Sequence, residues 1–211
     1  MKSPFTFKYS APKVTLTSGK MPALFLLHGM GSNEEDLPQL VKDFEETHHI
    51  FSLRGPIVYN PGYAFFTIAE VGKPDRDVFD KVVTFIQSFI NEAIEEYDLD
   101  PNNITLLGFS QGAILSQTLA LTMGNIINKV VALSGYIPGF VKEEYSKRTV
   151  DHLNIFISHG DYDYVIPSQW GAESKDYFEA IGANVTFKTY GDGHGVTPEN
   201  HADLVEFIKE Q

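Results

Sequence analysis

Gly108-Phe109-Ser110-Gln111-Gly112 follows directly on the apolar run Ile104-Thr105-Leu106-Leu107. The pattern is G-x-S-x-G at the point where a strand turns sharply into a helix. A serine at the tip of such a turn is held in a strained backbone conformation, with its hydroxyl raised above the sheet. Side chains two residues to either side would collide with the neighbouring strand and helix, which is why both positions are glycine. The helix that follows directs its positive end and its unpaired N–H groups at the same spot, where a developing oxyanion would be stabilised. Both flanks comply. Ala113-Ile114-Leu115-Ser116-Gln117-Thr118-Leu119-Ala120-Leu121 reads as a small, apolar helix, and Gly124 is placed to end it.

Outward from this turn, strands and helices alternate. Residues 5–9 alternate in polarity and suit an edge strand. Residues 23–27, 50–53, 104–107, 130–133 and 153–158 are short apolar runs, as expected of strands covered on both faces. Residues 185–190 form the last strand. Helices are expected over 33–44, 77–97, 168–181 and 198–209. In the 77–97 segment Val78, Val82, Phe85, Phe89 and Ala93 make a stripe widened by Phe79, Val83, Ile86 and Ile90. Asp75 or Asp77 would cap its start. Residues 55–71 form a loop rich in Gly, Pro and aromatic residues. Strands separated by helices require crossover connections, hence an α/β fold: a mostly parallel sheet flanked by helices on both faces. Residues 1–211 read as one domain, with no room for a large cap domain.

Composition narrows the function. Hydrophobic residues make up 43% and charged residues 21% of 211, an ordinary globular balance. The absence of cysteine removes disulfides, thiolate metal sites and a cysteine nucleophile. A net charge of −12 argues against nucleic acid as a partner. No apolar run approaches the ~18 residues that span a bilayer, and Met1-Lys2-Ser3-Pro4-Phe5 begins no long apolar segment. The expectation is a cytoplasmic protein without integral membrane association.

A serine hydroxyl needs a base to remove its proton and a third group to orient that base. With a strand-to-helix serine turn the chain order is Ser, then Asp or Glu, then His. After Ser110 the histidines are His152, His159, His194 and His201. His194 lies in Gly191-Asp192-Gly193-His194-Gly195, just past the last strand, and is the expected base. His201 lies among polar residues of the last helix and reads as solvent-facing. The acid belongs in His159-Gly160-Asp161-Tyr162-Asp163-Tyr164-Val165-Ile166-Pro167, where spacing leaves Asp161 and Asp163 both open. The oxyanion donors are expected to be the backbone N–H of Gln111 and, from the loop His28-Gly29-Met30-Gly31-Ser32, that of Met30. His28 comes too early in the chain for the base and reads as a side chain bonding loop backbone. Tyr63, Phe65, Phe66, Ile137 and Phe140 fall on the carboxyl-end side of the sheet, where they would line an acyl or alcohol pocket or pack beneath the loops. His48-His49 has no companion carboxylates, so no metal is expected.

With these residues assembled, the chain resembles the phospholipase/carboxylesterase family of α/β-hydrolases, which includes bacterial carboxylesterases and acyl-protein thioesterases. The resemblance is carried by Leu27-His28-Gly29-Met30-Gly31, residues 103–113, Ser134-Gly135, residues 159–167 and Gly193-His194. It implies Asp163 as the acid, Ser110 as nucleophile and His194 as base, with Met30 and Gln111 forming the oxyanion hole. It also implies a cofactor-free carboxylesterase acting on a small-molecule ester. The alternative is a lysophospholipase or acyl-thioesterase with the same site, and a more distant one is a silent binding module. The chain departs from the family in one respect. The loop Gly62-Tyr63-Ala64-Phe65-Phe66 lacks the tryptophan often found there, and the single tryptophan is Trp170. The acyl pocket is therefore expected to differ in shape. Aromatic residues in the long loop would suit a homodimer.

Overall fold

The computed structural model describes residues 5–14 and 19–210. The strands, in chain order, are β1 (Phe7–Ser10), β2 (Met21–Leu27), β3 (His49–Leu53), β4 (Ile57–Tyr59), β5 (Gly62–Ala64), β6 (Ile68–Glu70), β7 (Lys73–Pro74), β8 (Leu99–Phe109), β9 (Lys129–Leu133), β10 (Asn154–Gly160) and β11 (Asn184–Tyr190). The helices are α1 (Arg76–Glu96), α2 (Gln111–Met123), α3 (Gly139–Glu144), α4 (Ser168–Ala180) and α5 (Pro198–Lys209). Seven strands form one sheet in the order β1-β3-β2-β8-β9-β10-β11. β1 runs antiparallel to β3 at the edge, and every other pairing is parallel.

The apolar runs are buried on both faces because successive side chains of a strand point to opposite sides. Ala23, Phe25 and Leu27 join one layer while Leu24 and Leu26 join the other. Val130 and Ala132 against Val131 and Leu133 repeat the pattern in β9. The first layer is covered by α1, α2 and α4 through Phe79, Leu115 and Phe178. The second is covered by α5 through Leu204, Phe207 and Ile208, together with Leu37, Val41 and Phe44. Helix α2 is buried at every position except Thr122, which explains its small, apolar composition. No helix among the described residues is long and apolar enough to cross a membrane.

Three expectations need correction, and one open choice, the cap of α1, is resolved. The segment 33–44 is not an α-helix. Its first part is a turn in which Asn33 Oδ1 accepts from Glu35 N–H at 2.8 Å. Ser32 Oγ donates to the Asp36 carboxylate at 2.6 Å, so Asp36 makes no cap bond to the 3₁₀ helix Leu37–Phe44 that follows. That helix is itself interrupted at Val41 (φ −121°, ψ 21°). In α1, Asp75 rather than Asp77 is the cap, its side chain accepting from Val78 N–H at 3.3 Å. Phe85 is 46% exposed. At about 100° per residue the buried set Phe79, Val82, Val83, Ile86, Phe89, Ile90 and Ala93 covers roughly 120°, and Phe85 falls beyond its edge. Finally, the long loop is not structureless: β4 pairs with β5 and β6 with β7 as two small hairpins.

Candidate active site

The serine turn has the geometry its residue types require. A Cβ on Gly112 would stand 1.7 Å from the Leu27 carbonyl oxygen of β2, and one on Gly108 would stand 2.2 Å from the Gly112 backbone. The two glycines thus let β8, β2 and α2 close on each other. Between them Ser110 has φ 53° and ψ −114°, a conformation that L residues rarely adopt. Its N–H donates to the Leu133 carbonyl at 2.9 Å, tying the turn to β9. Ser134 closes β9 with φ 54° as well, but it is buried and lacks the flanking glycine pattern.

The loop after β2 lies against this turn. A Cβ on Gly29 would meet the Phe109 ring at 2.9 Å and the Ser110 Cβ at 3.3 Å. Gly31 N–H donates to the Tyr63 carbonyl and Tyr63 N–H to the Ser32 carbonyl, both at 2.8 Å, so hairpin β4–β5 holds the loop from outside. Among the described residues Met30 N–H has no partner. His28 bonds loop backbone, as expected. Its Nε2 accepts from Gly55 N–H at 2.9 Å, which leaves the ring proton on Nδ1, 2.6 Å from the Gly29 carbonyl. Burial pushes its pKa down and keeps it neutral.

Asp163 and His194 come together from two loops. His194 Nδ1 lies 2.7 Å from Asp163 Oδ2. Asp163 Oδ1 accepts from Val165 N–H at 2.8 Å and from Ile166 N–H at 2.9 Å. Burial alone would raise the Asp163 carboxyl, but the hydrogen bonds from His194, Ile166 and Val165 outweigh it and hold the group below its ordinary value. The carboxylate is therefore ionised, and His194 Nδ1 is its donor. Asp161, the other aspartate of this loop, is exposed. The loops interlock: Asp161 N–H donates to the Tyr190 carbonyl at 2.8 Å and Tyr162 N–H to the Asp192 carbonyl at 2.9 Å. The His194 ring centroid is 4.9 Å from that of Phe109, the neighbour of Ser110.

The remaining expected residues divide. Phe65 and Phe66 are fully buried members of the main core, packed against His28 and Phe79 respectively. They do not line an open surface. Phe140 stacks edge-on to Phe79. Tyr63 is half-buried, with Arg54 placed 4.5 Å from its ring centroid. Ile137 lines a cleft of about 280 Å³ together with Tyr136, Trp170, Val71 and Gly72. There the indole meets Tyr136 edge-on, and a Cβ on Gly72 would lie 2.7 Å from it. His201 is not simply solvent-facing, since its Nε2 lies 3.0 Å from the Leu40 carbonyl.

Sequence reasoning missed two clamps. The Gln111 side chain accepts from Phe65 N–H at 3.0 Å through Oε1 and donates to the Phe66 carbonyl at 2.7 Å through Nε2. Arg54 engages both Glu34 oxygens, Nε at 2.5 Å, and reaches Tyr63 Oη at 3.2 Å. No periodicity announces either clamp, because the partners of Gln111 lie 46 and 45 positions away and Glu34 lies 20 positions from Arg54.

A mostly parallel sheet with a glycine-flanked serine turn after its central strand, and a histidine loop after its last, is an α/β-hydrolase arrangement. The chain is 31% identical to acyl-protein thioesterase 1 of Candida albicans over 214 residues, covering 91% of this chain and 93% of that protein. It is also 31% identical to acyl-protein thioesterase 1 of Saccharomyces cerevisiae, covering 88% and 91%. Among solved structures it resembles the Bacillus cereus carboxylesterase, with a TM-score of 0.85, 26% identity and coverage of 98% and 94%. Residues 14–211 match the phospholipase/carboxylesterase family, and the chain belongs to that family of hydrolases.

Proposed function

We propose that the chain is a cofactor-free serine hydrolase of carboxylic esters acting through an acyl-enzyme. The observation that carries the reading is the part-buried Asp163–His194 hydrogen bond, whose imidazole packs on Phe109, the neighbour of a serine held at positive φ. With Nδ1 donating to Asp163, His194 Nε2 is left as the base for the Ser110 hydroxyl. Ser110 Oγ attacks the ester carbonyl, and His194 takes its proton and passes it to the leaving alcohol. Asp163 stabilises the imidazolium between these steps. The Met30 and Gln111 N–H groups receive the tetrahedral oxyanion, the first from an unpartnered loop amide and the second from the start of α2. Water then repeats the sequence on the acyl-enzyme. The substrate is a small molecule, and the compartment in which the protein works is the cytoplasm.

A second reading, an acyl-thioesterase or lysophospholipase using the same residues, is favoured by the thioesterase relatives. The test is hydrolysis of p-nitrophenyl esters and N-acetylcysteamine thioesters of matched acyl length by wild type and Ser110→Ala. Loss of about 10⁴-fold or more in kcat in the variant is expected. A larger kcat/KM for thioesters would favour the second reading. Turnover that survives Ser110→Ala would refute both.

A further inference from the structure

His159 is the penultimate residue of β10, four residues before Asp163, and the chain order that selects His194 gives it no part in the proposed reaction. Its side chain has no solvent exposure. Its Nε2 lies 2.9 Å from the Ile166 carbonyl and 3.3 Å from Asp163 Oδ2. Both neighbours only accept, so Nε2 carries a proton. Its Nδ1 is buried without a partner, and a Cβ on Gly171 of α4 would stand 2.6 Å from it. A proton there would face helix backbone with nothing to receive it. The ring is thus fixed in one neutral tautomer that donates toward the acid loop. Burial, the largest influence on it, disfavours the charged form in the same sense, and the titratable groups that act on it are Asp163 and His194.

We propose that His159 is a positioning residue for the acid of the site, acting on the Asp163 loop from β10. The proposal rests on the hydrolase reading above and extends it by one residue. By donating to the Ile166 carbonyl, His159 closes the turn that aims the Ile166 and Val165 N–H groups at Asp163 Oδ1. Its Nε2 also lies 3.3 Å from Oδ2, the oxygen that receives His194 Nδ1–H, in contact with it but with its proton directed to Ile166. Without the donor the Val165–Ile166 turn is free to shift, the carboxylate it holds moves with it, and the His194 ring loses its fixed direction. A small movement at a reacting centre is enough to depress kcat while leaving substrate binding intact.

The experiment compares wild type, His159→Leu and His159→Gln. Glutamine places an amide N–H near the position of Nε2, and leucine places none. Three quantities are read: kcat and KM on a p-nitrophenyl ester, the strongly downfield NMR resonance of the His194–Asp163 proton, and the melting temperature. His159→Leu is expected to lose about 10- to 100-fold in kcat, the scale set by leaving one buried backbone acceptor, the Ile166 carbonyl, unpaired, with KM within about twofold. Its downfield resonance should shift or broaden, and His159→Gln should recover most of both. If His159→Leu does not fold, His159→Asn replaces it, because its shorter amide reaches only the Nδ1 position. Wild-type kcat and an unchanged resonance in the donor-free variant would overturn the proposal. So would equal losses in the donor-free and glutamine variants that follow melting temperature with the resonance unmoved. Absence of ester turnover in wild type would overturn the hydrolase reading instead, and the resonance would then decide the role of His159 by itself.

Discussion

Replacing Gln111 by methionine tests how the serine turn is supported from beneath. Methionine keeps the length and approximate volume of glutamine but offers neither donor nor acceptor of comparable strength. Gln111 is 4% exposed. Its amide orientation is set by its partners, since Oε1 must face the Phe65 N–H and Nε2 the Phe66 carbonyl. The substitution leaves two buried backbone groups unpaired, at about 1–3 kcal/mol each. Little of that is recovered by packing, so a loss of about 2–5 kcal/mol is expected. For a chain of this size it lowers the melting temperature by about 5–15 °C. Urea unfolding gives the number directly, with an unchanged slope showing that the denatured state is not altered. The backbone N–H of residue 111 is retained, so a fall in kcat beyond the destabilisation would report movement of the loop at 65–66, not loss of an oxyanion donor. A stability loss under about 0.5 kcal/mol would refute the claim that this side chain satisfies the loop.

Two other outcomes are expected. In Gly112→Ala the new Cβ meets the Leu27 carbonyl oxygen, a backbone atom that cannot swing aside; the cost is at the upper end of overpacking, about 3 kcal/mol, and wild-type urea stability in the variant would contradict the close approach of α2 and β2. His48 is pushed down to about 4, by burial first and then by Lys129 and His49. Its folded value lies below the ordinary value of about 6.5, so the unfolded chain binds the extra proton and stability falls as pH drops from about 6.5 toward 4. Burial lowers His28 and His159 as well, and their contributions have the same sign. Melting temperature recorded across that range should decline, and His48→Gln should flatten the decline; parallel curves for the two proteins would exclude His48 as a source.

The sheet was legible because its strands are buried on both faces and so appear as unbroken apolar runs. β2, β9 and β10 appear at nearly their final places for that reason. Helix α5 matches residue for residue, with Thr197 Oγ1 accepting from Asn200 N–H and Pro198 opening the first turn. The reading failed where local signals compete with longer-range contacts. The 33–44 segment carries helical spacing, but Ser32, Asn33 and Asp36 spend their side chains on turn bonds, and the chain tightens into a 3₁₀ form. Phe65 and Phe66 stand in a loop, where the sequence left a pocket and packing beneath the loop both open. Their burial depends on Gln111 and on α1, contacts that no window of sequence contains.

Asp161 and Asp163, the two candidates for the acid of the proposed site, show where chain order ends and three-dimensional chemistry begins. Both residues follow β10 and both favour turns, so position along the chain treats them alike. The difference lies in what their backbones are asked to do. Residues 160–162 are held against the histidine loop: Asp161 N–H is bonded to Tyr190, Tyr162 N–H to Asp192, and Gly160 sits so close that a Cβ would come 2.0 Å from the Gly193 carbonyl oxygen. That contact fixes the entry of the loop carrying Asp163 beside the loop carrying His194. Asp161 is left exposed, and two residues on the chain has turned inward, where Asp163 finds two backbone donors and an imidazole. An ionised carboxylate can be buried only with such partners. In the proposed site the acid that orients the histidine needs further donors for its other oxygen, and here the Val165 and Ile166 N–H groups of its own loop supply them.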